Sequence, residues 1–201
     1  MAKSKKKATP RTPRLGAEDW IRAGLATLAR RGVANVRVER LARDLKVTKG
    51  SFYWHFKDRE ALLDAMLETW RVHSGRVVTE GSLGRHPDDA RAQLLALLHA
   101  PETTSDATEG SQIELALRLW ARRDERVHGM LQEMHRQRHK AMSRILANCG
   151  VGADHMVGLT ELLAATMYSL WTTDTRTPAE RASLIAQMVD IVDRYGKSPP
   201  R

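Results

Sequence analysis

From about residue 15 onward, apolar residues recur every three or four positions, and few segments alternate with period two. That pattern predicts an all-α protein of about nine helices. Trp20, Ala23, Gly24, Thr27 and Leu28 share one side of a predicted helix at 17–31, which Gly32 ends. A short helix is predicted at 38–45, with Val38, Leu41, Ala42 and Leu45 inward and Glu39, Arg40 and Arg43 outward. Residues 46–48 form a turn, and a third short helix covers 49–55. Asp58 is placed to cap a long helix reaching about Thr79, marked by Ala61, Leu62, Ala65, Met66 and Thr69. A Gly- and Pro-containing loop at 81–87 marks a boundary. Further helices are predicted at 88–99, 111–122, 124–148, 153–173 and 178–195, with 100–110 as a flexible connection. The last two are the most apolar stretches of the chain.

Charge adds information once it is located. Residues 1–60 hold 16 Lys/Arg against 6 Asp/Glu, whereas residues 61–201 hold 17 against 18. All of the net +9 therefore sits in the first third, and a polyanion is the natural partner of such a segment. Residues 1–14, with six basic side chains and two prolines, cannot bury enough surface to offset their ordering entropy. They are read as a mobile arm, serving either as an electrostatic or minor-groove anchor or as a solubility tail. The basic start runs into no apolar core, so no secretory signal is expected, and no apolar run approaches the roughly 20 residues of a membrane span. A single cysteine, Cys149, fits a reducing compartment, and the cytoplasm is the expected location.

Two short helices joined by a tight turn, behind a stabilising helix, make a helix-turn-helix. The second short helix of such a unit lies in the major groove. Thr48 and Lys49 stand at its start, where free backbone N–H groups also meet phosphate. Gly50 lets the backbone come close, and Ser51, Tyr53, Trp54 and His55 offer donors and flat faces. Phe52 and Phe56, four apart, point inward as the anchor.

Residues 20–63 resemble the DNA-binding domain of TetR-family regulators. The likeness runs from Trp20-Ile21-x-Ala23-Gly24 through Gly32 and Leu41-Ala42 to Val47-Thr48-Lys49-Gly50-Ser51-Phe52-Tyr53-Trp54-His55-Phe56-Lys57 and Glu60-Ala61-Leu62-Leu63. The remainder of the chain agrees in length, helical content and helix count. The resemblance implies a three-helix helix-turn-helix domain at 15–60 and a larger helical ligand-binding and dimerisation domain at 61–201. It also implies a homodimer joined through about 153–195, a double-stranded DNA operator as partner, and a small-molecule inducer of unknown identity. Carried over by position, Thr48, Lys49, Gly50, Ser51, Tyr53, Trp54 and His55 face DNA, with Lys57 on phosphate. Arg37 stands where the family usually begins its second helix with Thr or Ser, so it is expected to reach phosphate while Asn35 supplies the local cap. Lys46 replaces the usual turn glycine, at a cost of about 1 kcal/mol for a left-handed conformation.

Inducer sites are mostly apolar and aromatic, and Trp70, Trp120, Met130, Met134, Met167, Tyr168 and Trp171 are the candidates to line one. Asp124, Glu161 or His128 are candidates for polar selectivity. His128, His135 and His139 share a helix face ringed by Arg136, Arg138 and Lys140, read as a solvated face rather than a metal site. Cys149, beside a glycine, is read as helix-end packing rather than as a redox sensor. No Gly-x-Ser-x-Gly, phosphate-binding glycine loop or catalytic carboxylate pair is present, so no enzyme, cofactor or resident metal is expected. The sequence thus predicts a ligand-responsive, sequence-specific transcriptional regulator, a repressor released by an apolar or amphipathic inducer. The alternative is a ligand-independent or activating DNA-binding protein of the same fold.

Overall fold

The computed structural model describes residues 15–78, 86, 88–99, 107–172 and 176–196, with backbone alone at 76–78, 107–109 and 171–172. The predicted arm at 1–14 and nearly all of the 81–87 loop lie outside the described residues, as does Thr79. Within them the regular structure is helical, and no strand occurs. The α-helices are α1 (Ala17–Arg31), α2 (Val38–Asp44), α3 (Lys49–Tyr53), α4 (Arg59–Val78), α5 (Ala90–Leu98), α6 (Ala107–Ala121), α7 (Glu125–Asn148), α8 (Ala153–Thr172) and α9 (Pro178–Gly196). A 3-10 turn at Val33–Asn35 follows α1.

Side-chain caps set the starts of four of these helices. Asp58 Oδ1 accepts from the Ala61 N–H at the start of α4, and Asp89 Oδ1 accepts from Ala92 at the start of α5. Asp124 caps α7 through the Arg126 N–H. Thr177 and Glu180 exchange bonds reciprocally before α9, with Pro178 at the first helical position. α6 begins four residues earlier than the apolar period indicates. Ala107, Thr108, Glu109 and Gly110 have no apolar rhythm, and Gly110 lies where a side chain would meet Trp70.

Two cores hold the helices together. The first gathers α1–α4, α6 and the N-terminal half of α7 around Trp20, Phe52, Leu62, Met66 and Leu117. The second joins α5, the C-terminal half of α7, α8 and α9 around Leu98, Ile145, Leu163 and Val192. α7 is the shared beam: Val127 and Met134 belong to the first core, and Met142, Ile145 and Leu146 to the second. Arg126, at its start, reaches Asp64 (3.0 Å) and Glu60 (3.4 Å) on α4, tying the body to the helix that leads out of the helix-turn-helix. No described helix is long and apolar enough to cross a membrane.

Candidate nucleic-acid interface

The short helix α3 is fixed by a single side chain. Phe52 is fully buried, with its ring edge-on to Trp20 at 5.2 Å and stacked on Phe56 at 5.5 Å. Its carbonyl accepts from both His55 and Phe56 N–H, which ends the helix at Tyr53 and swings Phe56 back over Phe52. The helix is therefore two residues shorter than the sequence pattern indicates, and Trp54 and His55 lie just past its end.

With Phe52 turned home, the opposite face is outward. Thr48, Lys49, Gly50, Tyr53, Trp54, His55 and Lys57 are exposed, Trp54 to 88% and Tyr53 to 61%. Ser51 is half-buried. Tyr53 and Trp54 thus put two neighbouring aromatic side chains in solvent, residue types enriched at interfaces. Arg43, Lys46 and Lys57 make no ion pair among the described residues, while Lys49 pairs with Glu39 at 2.8 Å. That hydrogen bond from Lys49 holds the Glu39 carboxyl below the usual carboxylate range.

One expectation about the connector needs correction. Asn35 does not cap α2: its amide donates to the Arg31 carbonyl at 2.7 Å, closing the end of α1 instead. Arg37 takes the N-cap position of α2 with no side-chain cap, and its Nε donates to the Ala34 carbonyl at 3.0 Å, leaving the side chain exposed. Lys46 does adopt the left-handed conformation (φ 56°), the turn being closed by Val47 N–H to Ala42 O and Lys46 N–H to Arg43 O. Sequence reasoning missed Arg59, which donates to the carbonyls of Val36 (2.6 Å) and Val33 (2.8 Å) and locks the connector to α4. No local pattern signals a side chain that bonds backbone 23 and 26 residues upstream.

The sequence model of the bacterial regulatory proteins of the tetR family matches residues 21–66, the segment holding this surface. Over these residues the chain carries a tetR-family DNA-binding domain. It is 44% identical over 48 residues to the class G tetracycline repressor of Vibrio anguillarum, a match covering 24% of this chain and 23% of that one. It is 36% identical over 75 residues to the class A repressor from transposon 1721 of Escherichia coli, covering 37% and 33%. The likeness thus spans about a quarter to a third of those curated relatives. Solved structures extend the fold alone across the chain. A transcriptional regulator from Rhodococcus sp. Rha1 superimposes with a TM-score of 0.70 at 18% identity, covering 92% of this chain and all (100%) of that one. A regulator from Pseudomonas aeruginosa PAO1 gives 0.66 at 20% identity, covering 89% and 90%.

In the helices beyond this domain the predicted pocket residues divide between the two cores. Trp70, Trp120 and Met134 are buried in the first core with Met130 against it, and Met167 is buried in the second. Tyr168 lies beneath the Arg118 guanidinium at 4.8 Å, and the Trp171 side chain falls outside the described ones. Two adjoining clefts between α6, α7 and α8, of about 500 and 270 Å³, share Arg118, His135 and Arg138. Met134 lines the larger, and Met167 and Tyr168 line the smaller. Glu114 is buried at their junction, bonded by both Arg138 Nη atoms (3.0 and 2.9 Å) and by Arg118 (2.9 Å).

Of the polar candidates, Asp124 is consumed by capping α7, by Trp120 Nε1 at 3.2 Å and by Arg126. His128 bonds Gln132. The His135 and His139 rings lie 3.9 Å apart, tilted by 50°, and desolvation, then the His139 charge, pushes His135 below the usual imidazole range. Glu161 of α8 lies 3.4 Å from His139, a neighbour invisible in sequence. Among the described residues no trio of side chains is arranged for a metal. Cys149 caps α7, half-buried, and burial raises its pKa, which disfavours the reactive thiolate.

Proposed function

We propose that this TetR-family chain is a DNA-binding transcriptional regulator that acts as a homodimer and is released from its operator by a small amphipathic ligand. The observation that carries the reading is the outward set on and just beyond α3: Lys49, Tyr53, Trp54 and His55 are exposed around the buried Phe52. Such a helix fits the major groove, with Tyr53, Trp54 and His55 toward base edges and Lys57 and Arg37 toward phosphates. Residues 15–60 form the reading head in this account and 61–201 the sensing and dimerising body.

Dimerisation is supported by the outer face of α8 and α9. Val157 (75% exposed) and Leu162 stand beside Gly158 on α8, and α9 presents Ala182 and Ala186. Such a surface of small and apolar residues suits helix packing against a second copy. The inducer would occupy the α6–α7–α8 clefts, where Met134, Met167 and Tyr168 meet Arg118, Arg138 and the imidazoles, a lining that favours amphipathic over purely apolar ligands. A ligand shifting α7 would pull the Arg126 links to Glu60 and Asp64 on α4, and so move the reading head.

Fluorescence anisotropy with DNA from the protein's own promoter, against shuffled DNA, tests the core of the reading. Sequence-selective binding that Lys49→Ala and Tyr53→Ala both weaken supports it. Unchanged affinity in both variants overturns it. A thermal-shift screen, coupled to loss of operator binding, separates a ligand-responsive regulator from a ligand-blind one.

A further inference from the structure

A cleft of about 1010 Å³ lies between the C-terminal end of α1 and the outer face of α6, at the seam between reading head and body. Its floor is apolar: Leu115 and Leu119 are 46% and 61% exposed there, beside Ala116 and the buried Trp120. Arg30 and Arg31 from α1 and Arg122 and Arg123 from just past the end of α6 line its rim, and no carboxylate lines it among the described residues. None of the four arginines is in an ion pair among the described residues. Among the described residues, four like charges ring the exposed leucines without a counter-charge.

The ends of α1 and α6 bring carbonyl oxygens to the same cleft, which on their own would repel an anion. Five of those oxygens are already engaged. Leu28 O accepts from Gly32, Arg31 O from Asn35, Val33 O and Ala34 O from Arg59 and Arg37, and Trp120 O from Arg123. The guanidinium groups therefore dominate the field over the leucines. The volume matches the upper end of the roughly 300–1,000 Å³ typical of ligand clefts.

We propose that this cleft is a second small-molecule site, distinct from the α6–α7–α8 clefts, and that it takes an amphipathic anion. The apolar body lies on Leu115 and Leu119, and a carboxylate or phosphate is gripped by the arginine rim. DNA backbone, the other polyanion in reach of a basic surface, has no use for the leucine floor. The occupant bridges α1 and α6, so it bears on the placement of the reading head without entering the body.

Calorimetric titration of the full chain with decanoate and with decanol tests the assignment. Decanoate should bind, and decanol at least about tenfold more weakly. The double variant Arg122→Gln/Arg123→Gln should weaken decanoate by about tenfold, and Leu119→Ser should weaken both probes. All three positions are solvent-facing, and circular dichroism checks that the variants fold. Decanoate that fails to bind, that binds the double variant equally well, or that binds no better than decanol overturns the site. So does a double variant whose only change is a shallower salt dependence of operator binding, since the arginines then serve DNA. The inference stands apart from the regulator reading: protein that binds decanoate through these arginines yet no promoter DNA keeps this site and sinks that reading, and the converse holds.

Discussion

The Lys49 ammonium sits 2.8 Å from Glu39 Oε1, so the first residue of the reading helix is tethered to the exposed face of α2. Both side chains are open to solvent, and the pair is screened by salt. Its consequence is for binding rather than for folding. A carboxylate beside the cation repels phosphate and keeps Lys49 occupied in the free protein. Glu39→Gln should therefore tighten operator binding, roughly threefold, and steepen the salt dependence by about one counterion. Anisotropy titrations across a salt series measure both. An unchanged slope means Lys49 already leaves Glu39 when DNA arrives.

Arg59 ties the α1–α2 connector to α4 through two backbone carbonyls. Arg59→Ala leaves both acceptors without that partner and should cost about 1–2 kcal/mol in urea unfolding. Arg59→Lys should rescue little, because one ammonium cannot reproduce a planar fork on two separated carbonyls. Operator affinity should fall in both variants even where the protein remains fully folded, since the connector sets the angle of α2 and α3 against α4.

The physical reach of each signal explains what could be read from sequence. The boundaries of α1 and α7 and the inward turn of Phe52 depend on local period, caps and glycine, so they were legible. The missed or corrected features depend on neighbours distant in sequence. Arg59 bonds backbone far upstream, Glu161 meets His139 from another helix, and Asn35 caps the helix behind it rather than the one ahead. The start of α6 was hidden for a different reason: Ala107–Gly110 carries no apolar rhythm to mark it. Pocket residues were the least legible, because apolar composition alone does not distinguish Trp70 in a core from Tyr168 beside a cleft.

Lys46 and Gly150 occupy the same kind of position, a left-handed residue closing a helix, with φ of 56° and 86°. Their surroundings differ. Lys46 is exposed, whereas a Cβ at Gly150 would lie 2.6 Å from the Gly196 carbonyl oxygen. Lys46→Gly should therefore stabilise the protein by up to about 1 kcal/mol, the relief of the strain offset partly by the freer unfolded chain. Gly150→Ala should destabilise it by more than about 1 kcal/mol, through strain and backbone collision together. Urea midpoints of the two variants decide between conformational strain and crowding as the governing cost.

Glu114 is a buried carboxylate held by the guanidinium groups of Arg118 and Arg138. Burial alone would push its carboxyl up, but the guanidinium groups of Arg138 and Arg118 outweigh burial and hold it below its ordinary value of 4.5. A lowered folded-state pKa contributes stability that is fully present above that ordinary value and is lost as pH falls through the lower one. The contribution is thus intact at neutral pH and fades on acidification below about pH 4.5. Glu114→Gln should cost about 3 kcal/mol at pH 7, since it strands the largely buried Arg138 charge without its bidentate partner. The exposed half of Arg118 is screened and adds little. Urea unfolding of both proteins from pH 7 to pH 3 should show their stabilities converging as the wild-type carboxyl protonates. A gap that persists at pH 3 would place the loss in packing around Gln at this site rather than in the ion pair, and the charge-based account would fail.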